Sequence, residues 1–598
     1  DQTTVSRRSL LVAAGFASAT LAPSQIAMAQ ASVKQKSSVV LDPTPAITRH
    51  FVTVGDRQVH YRRAGSGPPV FLLHASPGSS LSMVRTMGRL TDKFTVIAPD
   101  TPGNGLSMPL PQAAPVMADY ANALAELMTA LGIDRAPIYG SYTGAGCALE
   151  MARLHPDRAT LVIVNGYLQF TDAEREDIVA NYLPVFEPDW YGGHLVWAYA
   201  RMREQLIFFP WFHKDDASRM DVDLPSPAGL HSGVVDLMRS DDNYRAPYRA
   251  AFTLDYASSL LAAKVPTIIT TSREDLMWPH LARMPEPPRA VTVHGTDTRA
   301  DSWAVAVEVL TSTISRTETT THSSVTPFPD RLWSEMLQVD GVSVNVLRNT
   351  KARGRPILFL HDTAGSTAQM AEHLVPLIGK RPVIALDLPG NGETEGDINM
   401  ATVVDDHARV VRGVIDTIGY DVVDIVAFGG GGAVAVEFAL TQPERVKTLL
   451  LRQVQCFELA EANDRMNWPL PDLTPAAHGA QMLNAWNFIR DRELFDPWHF
   501  QDRKTAIRGR DPDLDPARVH MRTMDLLKCG DGHSALYKAH IGYPMARKLA
   551  GLRSDVVLDL PESPSTQRAA AVLPPKSVRV LNLPMVDVSG ERLVGVLE

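Results

Sequence analysis

Cysteine is nearly missing from this chain: Cys147, Cys456 and Cys529 are the only three in 598 residues. They allow one disulfide at most, which excludes a disulfide-stapled fold, and they do not cluster as metal ligands. No His-Glu-x-x-His or paired-histidine spacing occurs, so no metal motif is present. The glycine run Gly429–Gly432 is followed by neither a Gly-Lys-Ser/Thr sequence nor a dinucleotide fingerprint, so no nucleotide loop and no cofactor are expected. Long basic runs are also absent. With 58 basic against 67 acidic residues and a net charge of −9, the chain lacks the concentrated positive face that phosphate binding needs, which argues against nucleic acid as a partner.

One apolar run does exist, and it lies at the N-terminus. Arg7-Arg8 precede a stretch reaching Leu21, and Ala27-Met28-Ala29 offers a small-x-small cleavage site. A basic start, a short apolar stretch and such a site describe a secretory signal. The adjacent arginines are similar to the twin-arginine type, so residues 1–29 are expected to be removed on export to the periplasm or the outside. From Gln30 onward there is no second run to hold the protein in a membrane.

At this length one hydrophobic core is not enough, and the chain repeats itself. His74 and His361 stand 287 residues apart, as do Asp100-Thr101-Pro102-Gly103-Asn104-Gly105 and Asp387-Leu388-Pro389-Gly390-Asn391-Gly392. Gly144 and Gly431, Arg203 and Arg490, and Pro210-Trp211 and Pro497-Trp498 keep that offset; it then becomes 289, pairing His231 with His520 and Asp236-Leu237 with Asp525-Leu526. A constant offset over more than a hundred residues is a duplication. The polar, Ser/Thr-rich segment 315–329 reads as a linker between a first domain, 45–314, and a second, 330–598. In each copy short apolar runs such as Val70–Leu73 and Ile357–Leu360 alternate with helical patterns such as Met117–Leu131 and Ala401–Ile418. That alternation predicts an α/β fold with a mostly parallel sheet covered on both faces.

Four local patterns carry a resemblance. They are the strand-end loops His74-Ala75-Ser76-Pro77-Gly78-Ser79 and His361-Asp362-Thr363-Ala364-Gly365-Ser366, the Asp-x-Pro-Gly-x-Gly turns, the segments Gly140–Gly144 and Ala427–Gly431, and the connections Arg153–Arg158 and Leu440–Arg445. Together they resemble the α/β-hydrolase superfamily over nearly all of both repeats. The resemblance implies two tandem hydrolase-like domains with helical lids at about 170–255 and 459–545. It also implies an oxyanion loop with backbone donors near Ala75 and Thr143, and a nucleophile elbow of the form Gly-x-nucleophile-x-Gly.

Neither elbow holds a serine. Anchoring on Gly140 and Gly144 puts Tyr142 at the centre; anchoring on Gly431 puts Gly429 there in the second copy. Ser141 stands one residue early and would serve only in a bulged turn. For the remaining triad positions, copy one offers Asp275 (with Glu274) after the strand at 267–270, and His294 after 291–293. Copy two offers Ser563 and Asn582 in their places. His74 is expected to orient the oxyanion loop, with a general base as its other reading. His231 and Asp236 are a further candidate pair, although five residues apart on a helix they do not share a face. Two readings of the function stay open. One is a hydrolase or lyase acting on a small apolar carbonyl or ester compound through Tyr142, Asp275 and His294 of domain 1. The other is a noncatalytic ligand-binding or scaffold protein, favoured in copy two by the room that Gly429 leaves.

Overall fold

The computed structural model describes residues 47–312 and 325–598, other than Lys351, Asp397, Ile398, Pro561, Met585 and Val588. The expected signal segment lies outside these residues, as does 313–324, most of the expected linker. The apolar runs fold as strands because their side chains are buried on both faces, as a helix-covered sheet requires. In the first half β1 (Thr48–Val54), β2 (Arg57–Ala64), β3 (Pro69–Leu73), β4 (Thr95–Pro99), β5 (Ala136–Ser141), β6 (Ala159–Asn165), β7 (Thr267–Ser272) and β8 (Val291–Thr296) form one sheet. Its order is β1-β2-β4-β3-β5-β6-β7-β8. Only the β1–β2 and β2–β4 pairs are antiparallel.

The second half repeats this with β9 (Trp333–Val339), β10 (Val342–Arg348), β11 (Ile357–Leu360), β12 (Val383–Leu386), β13 (Val423–Phe428), β14 (Val446–Arg452), β15 (Asp555–Leu558) and β16 (Val578–Val580). The order is again the same, β9-β10-β12-β11-β13-β14-β15-β16. Alternation along β3 splits the core as a period of two demands. Phe71 and Leu73 join a buried cluster that runs through both halves, while Val70 and Leu72 join a separate cluster on the other face of the first sheet. The described residues therefore pack as one unit.

The duplicated turn explains itself. The Asp100 carboxylate accepts from the amides of Ser80 (2.7 Å) and Leu106 (2.8 Å) and pairs with His60 (2.8 Å). Asp387 accepts from the Thr367 and Glu393 amides (2.5 and 2.8 Å). A Cβ on Gly105 or Gly392 would lie 2.2 or 2.4 Å from that carboxylate, so glycine is required there. In each half this ties the oxyanion loop to the strand beside it. Between β6 and β7, and again between β14 and β15, the chain leaves the sheet to build a helical lid: Asp172–Asn181 to Tyr256–Leu261, and Leu459–Met466 to Met545–Leu549. Among the described residues no helix is long and apolar enough to cross a membrane.

Candidate active site

β5 ends at Ser141 and the helix Thr143–Leu154 starts two residues later, leaving Tyr142 at the corner with φ 49° and ψ −105°. This is a region that non-glycine residues rarely occupy and that recurs at functional sites. The flanking glycines make it possible. A Cβ on Gly140 would lie 2.1 Å from the Gly144 carbonyl oxygen, and one on Gly144 would lie 2.5 Å from that of Leu73. The ring of Tyr142 runs past Gly166, where a Cβ would sit 3.1 Å from it. Its hydroxyl donates to Asp275 Oδ2 at 2.7 Å. Asp275, on the turn after β7, is itself buried and accepts from the Met277 amide at 2.8 Å. Burial first, and then the Asp275 charge, push the Tyr142 phenol well above its ordinary range, with Arg299 opposing. Tyr142 therefore stays protonated. As it stands it is a hydrogen-bond donor to Asp275, not a nucleophile.

The structure thus brings together Tyr142 and Asp275, but not His294. That residue lies on β8, the edge strand, in register with Thr270, and no hydrogen bond joins it to Tyr142 or Asp275 among the described residues. Strand β8 is followed at once by Asp297, Thr298 and the helix Arg299–Ser312, so no histidine stands in that connection. An imidazole that sequence reasoning missed is His280, on the short helix Trp278–Arg283 that follows Asp275. It is buried, and its Nδ1 lies 2.8 Å from the Gln169 carbonyl.

Ser141 points to the other side of the strand, its hydroxyl donating to the Tyr139 phenol at 3.3 Å. His74 is buried and fully engaged: Nδ1 donates to the Ala75 carbonyl (2.9 Å) and Nε2 accepts from the Thr101 amide (2.9 Å). Burial lowers its pKa, so it shapes the loop as a neutral ring. The Ser76 amide donates to Thr143 Oγ1 at 3.4 Å, which sets Ala75 beside Thr143. The Thr143 amide is the first of its helix and has no intrahelical acceptor. His231 and Asp236 part company. His231 Nδ1 meets Gln481 Nε2 of the second lid at 3.3 Å, whereas Asp236 accepts from Ser79 Oγ at 2.9 Å and pairs with Arg239.

In the second half Gly429 holds the same corner with φ +47°. The room expected there is filled. A Cβ on Gly429 would lie 2.1 Å from Oδ1 of Asp362, the residue standing where domain 1 has Ala75. That oxygen accepts from the Gly430 amide at 2.6 Å. Next to it Thr363 Oγ1 and His540 Nδ1 lie 2.7 Å apart. Of the residues matched to the triad, Ser563 precedes the helix Pro564–Val572. Neither Asp362 nor His540 was singled out from sequence. The signal was available in the contrast with Ala75 and Ala251 at the matching positions of the first copy.

A family model described as alpha/beta hydrolase fold matches this chain twice, at residues 68–201 and 355–477. Those two stretches contain both oxyanion loops and both elbows. The chain is a tandem of two domains of the α/β-hydrolase fold. Among curated relatives, an uncharacterized protein of Mycobacterium tuberculosis is 37% identical over 136 residues, which are 22% of the tandem hydrolase and 39% of that protein. A fluoroacetate dehalogenase of Burkholderia sp is 28% identical over 247 residues, 38% of this chain and 79% of the relative. A 2-(acetamidomethylene)succinate hydrolase of Mesorhizobium japonicum is 30% identical over 132 residues, 21% and 47% of the two chains. The chain thus spans about two fifths of the length of the mycobacterial relative. A crystal structure of E-2-(acetamidomethylene)succinate hydrolase aligns at 19% identity with a TM-score of 0.34, covering 45% of this chain and 98% of that one.

A groove of about 620 Å³ on the tandem hydrolase is lined by residues from Thr53–Arg57, Leu110–Gln112 and one face of the helix Met117–Ala130. It shares no residue with either elbow and carries none of the chemistry described above.

Proposed function

We propose that domain 1 of the tandem hydrolase is an enzyme of the hydrolase or lyase type. Its substrate would be a small apolar carbonyl or ester compound, and Tyr142 its proton donor. The observation that carries this is the 2.7 Å hydrogen bond from the Tyr142 hydroxyl to Asp275, made at the strained corner of the elbow. Such a corner lies at the carboxyl ends of the strands, where open α/β sheets bind ligands. Asp275 fixes the ring rotation and opposes phenolate formation. A substrate oxygen that competes for the phenol proton gains a donor there, while the Thr143 amide supports charge developing on a carbonyl oxygen. Relatives whose names describe hydrolysis or dehalogenation of small molecules support the substrate size. Acyl transfer through an elbow serine is not part of this reading, since loss of that serine costs on the order of 10⁶ in turnover in a serine protease.

The test is turnover of a panel of small esters, lactones and β-keto acids by the purified protein. Tyr142→Phe removes the proton and keeps the ring, and is expected to lower turnover of any accepted substrate by roughly 10²–10⁴. Unchanged turnover would reject Tyr142 as the acid. A phosphonate probe for serine hydrolases is expected to leave the protein unlabelled, and stoichiometric labelling at Ser141 would overturn the assignment of the elbow. We further propose export, supported by the Arg7-Arg8 segment and the Ala27-Met28-Ala29 site. The mass of protein recovered from the periplasm should correspond to a chain starting at Gln30.

A further inference from the structure

The second elbow has lost its side chain but not its reactive groups. Three observations converge on it. The Asp362 carboxylate stands in the space an elbow side chain would take, pinned through Oδ1 by the Gly430 amide at 2.6 Å. Among the described residues its other oxygen meets the Arg492 guanidinium, loosely, at 3.4 Å, and the two side chains keep 26% and 37% of their surface exposed. Polar atoms without partners lie on the helices packed there: His540 Nε2 and His533 Nε2 of the lid helix Gly532–Gly542, and His407 Nδ1 of the core helix Val403–Ile418, are buried and take no hydrogen bond among the described residues. Buried polar groups are ordinarily paired, because leaving one unpaired forfeits its hydration with nothing in exchange. The two on the lid helix therefore offer a polar ligand partners that the fold itself does not supply. His540 and His533 are held neutral, burial pushing each down to about 4.

The duplication supplies an internal control. At the positions of Asp362, Thr363, Arg492 and His540, domain 1 has Ala75, Ser76, Gln205 and Ala251. Domain 1 keeps a hydroxyl at Ser76 but folds without the carboxylate, guanidinium or imidazole, so those three are not there to make the fold. The Gly430 amide matches the Thr143 amide of domain 1, which is free to support an oxyanion. In domain 2 an internal carboxylate takes it. This half is therefore unsuited to stabilising a tetrahedral oxyanion and suited to accepting a proton, with a cation beside the acceptor.

We propose that domain 2 is a second catalytic centre. In it Asp362 is a general base, Arg492 pairs with the charge that proton transfer creates, and the substrate is a small carbonyl compound with an acidic α-hydrogen. In the step, the Cα–H bond breaks and its proton goes to Asp362 Oδ2. The electron pair moves to the carbonyl oxygen, giving an enolate beside Arg492. The proton returns to carbon, so nothing is oxidised and no co-reactant is consumed. Thr363 and His540, 2.7 Å apart, hold the loop that presents the carboxylate; they are positioning residues.

Proton return from solvent makes the step visible. The full-length protein is incubated in D₂O with butanone, cyclohexanone or 2-oxobutanoate, and loss of the α-proton signal is followed by ¹H NMR. Exchange well above the buffer rate is expected with at least one of them. Asp362→Asn keeps an acceptor for the Gly430 amide and removes the base, and is expected to slow that exchange at least ~10²-fold. Arg492→Gln, at a half-exposed position, should slow it while leaving the melting temperature unchanged. No exchange with any of the three ketones, or a wild-type rate in either variant, would overturn the proposal.

Discussion

Tyr142 and Gly429 occupy the same corner of the same duplicated turn, yet one fills it and the other is filled from outside. The spacing of Gly140 and Gly144 was enough to place Tyr142, because a Cβ at either position would lie 2.1 or 2.5 Å from a backbone oxygen. Asp275 was legible as an acid after the strand, and it does reach the phenol. His294 stands on an edge strand with no hydrogen bond to the pair among the described residues, and sequence order alone gives no direction to a side chain. Asp362 was visible as a charged residue in the loop, but where its carboxylate points depends on Gly429, a contact across 67 residues. That contact is testable. Gly429→Ala adds a methyl 2.1 Å from Asp362 Oδ1 at φ +47°, and is expected to cost about 1–3 kcal/mol in urea unfolding. Adding Asp362→Ala should recover part of that loss, since contacting residues do not act additively.

At the scale of elements, the two lids meet through matched positions. His194 Nε2 and His520 Nδ1 lie 3.1 Å apart, and the pair related to them by the repeat is Gln481 and His231 at 3.3 Å. Residues five apart on a helix point to different sides, which is why each histidine turns to the opposite lid. Asp236 and Asp525 turn instead to Ser79 and Ser366 of their own cores. The sequence showed that these residues recur, but periodicity says which residues share a face and nothing about what the face meets. Burial lowers His194 to about 4 and His520 to about 3, His194 adding to the second shift. Both are neutral in the folded protein and titrate near 6.5 when unfolded. The unfolded state therefore binds protons first, so stability present above pH ~6.5 is lost as the pH falls from there toward about 4. Melting temperatures measured across that interval should drop less steeply in His520→Asn than in the wild type. Parallel slopes would show that the histidine pair is not what acid attacks.

For the whole molecule, one carboxylate belonging to the second half decides how the halves are joined. Glu393 follows the turn Asp387–Gly392, at the position where the first copy has Leu106, so the duplication gave no hint of it. Its carboxylate is nearly buried and meets Arg49 at 3.0 Å, Arg239 at 3.2 Å and Lys528 at 3.2 Å. Arg239 continues to Asp236 and thence to Ser79, and Lys528 to Asp525 and thence to Ser366. A single chain of charges thus runs from one oxyanion loop to the other across the junction. Gln58 adds a second seam, its side-chain amide exchanging two 2.8 Å hydrogen bonds with the Ser334 backbone. Burial alone would raise the Glu393 carboxyl, but Arg239, Lys528 and Arg49 together hold it well below the ordinary range. Glu393→Gln keeps the shape and leaves three cations facing one another with no anion between them. Breaking a buried pair from one side typically costs 3–5 kcal/mol, and a loss of about that size is expected in urea unfolding. Because the charge chain ends on both loops, the substitution should also lower turnover at Tyr142 and ketone exchange at Asp362 together. Loss of stability with both rates intact would make Glu393 a clamp between domains that their sites do not feel.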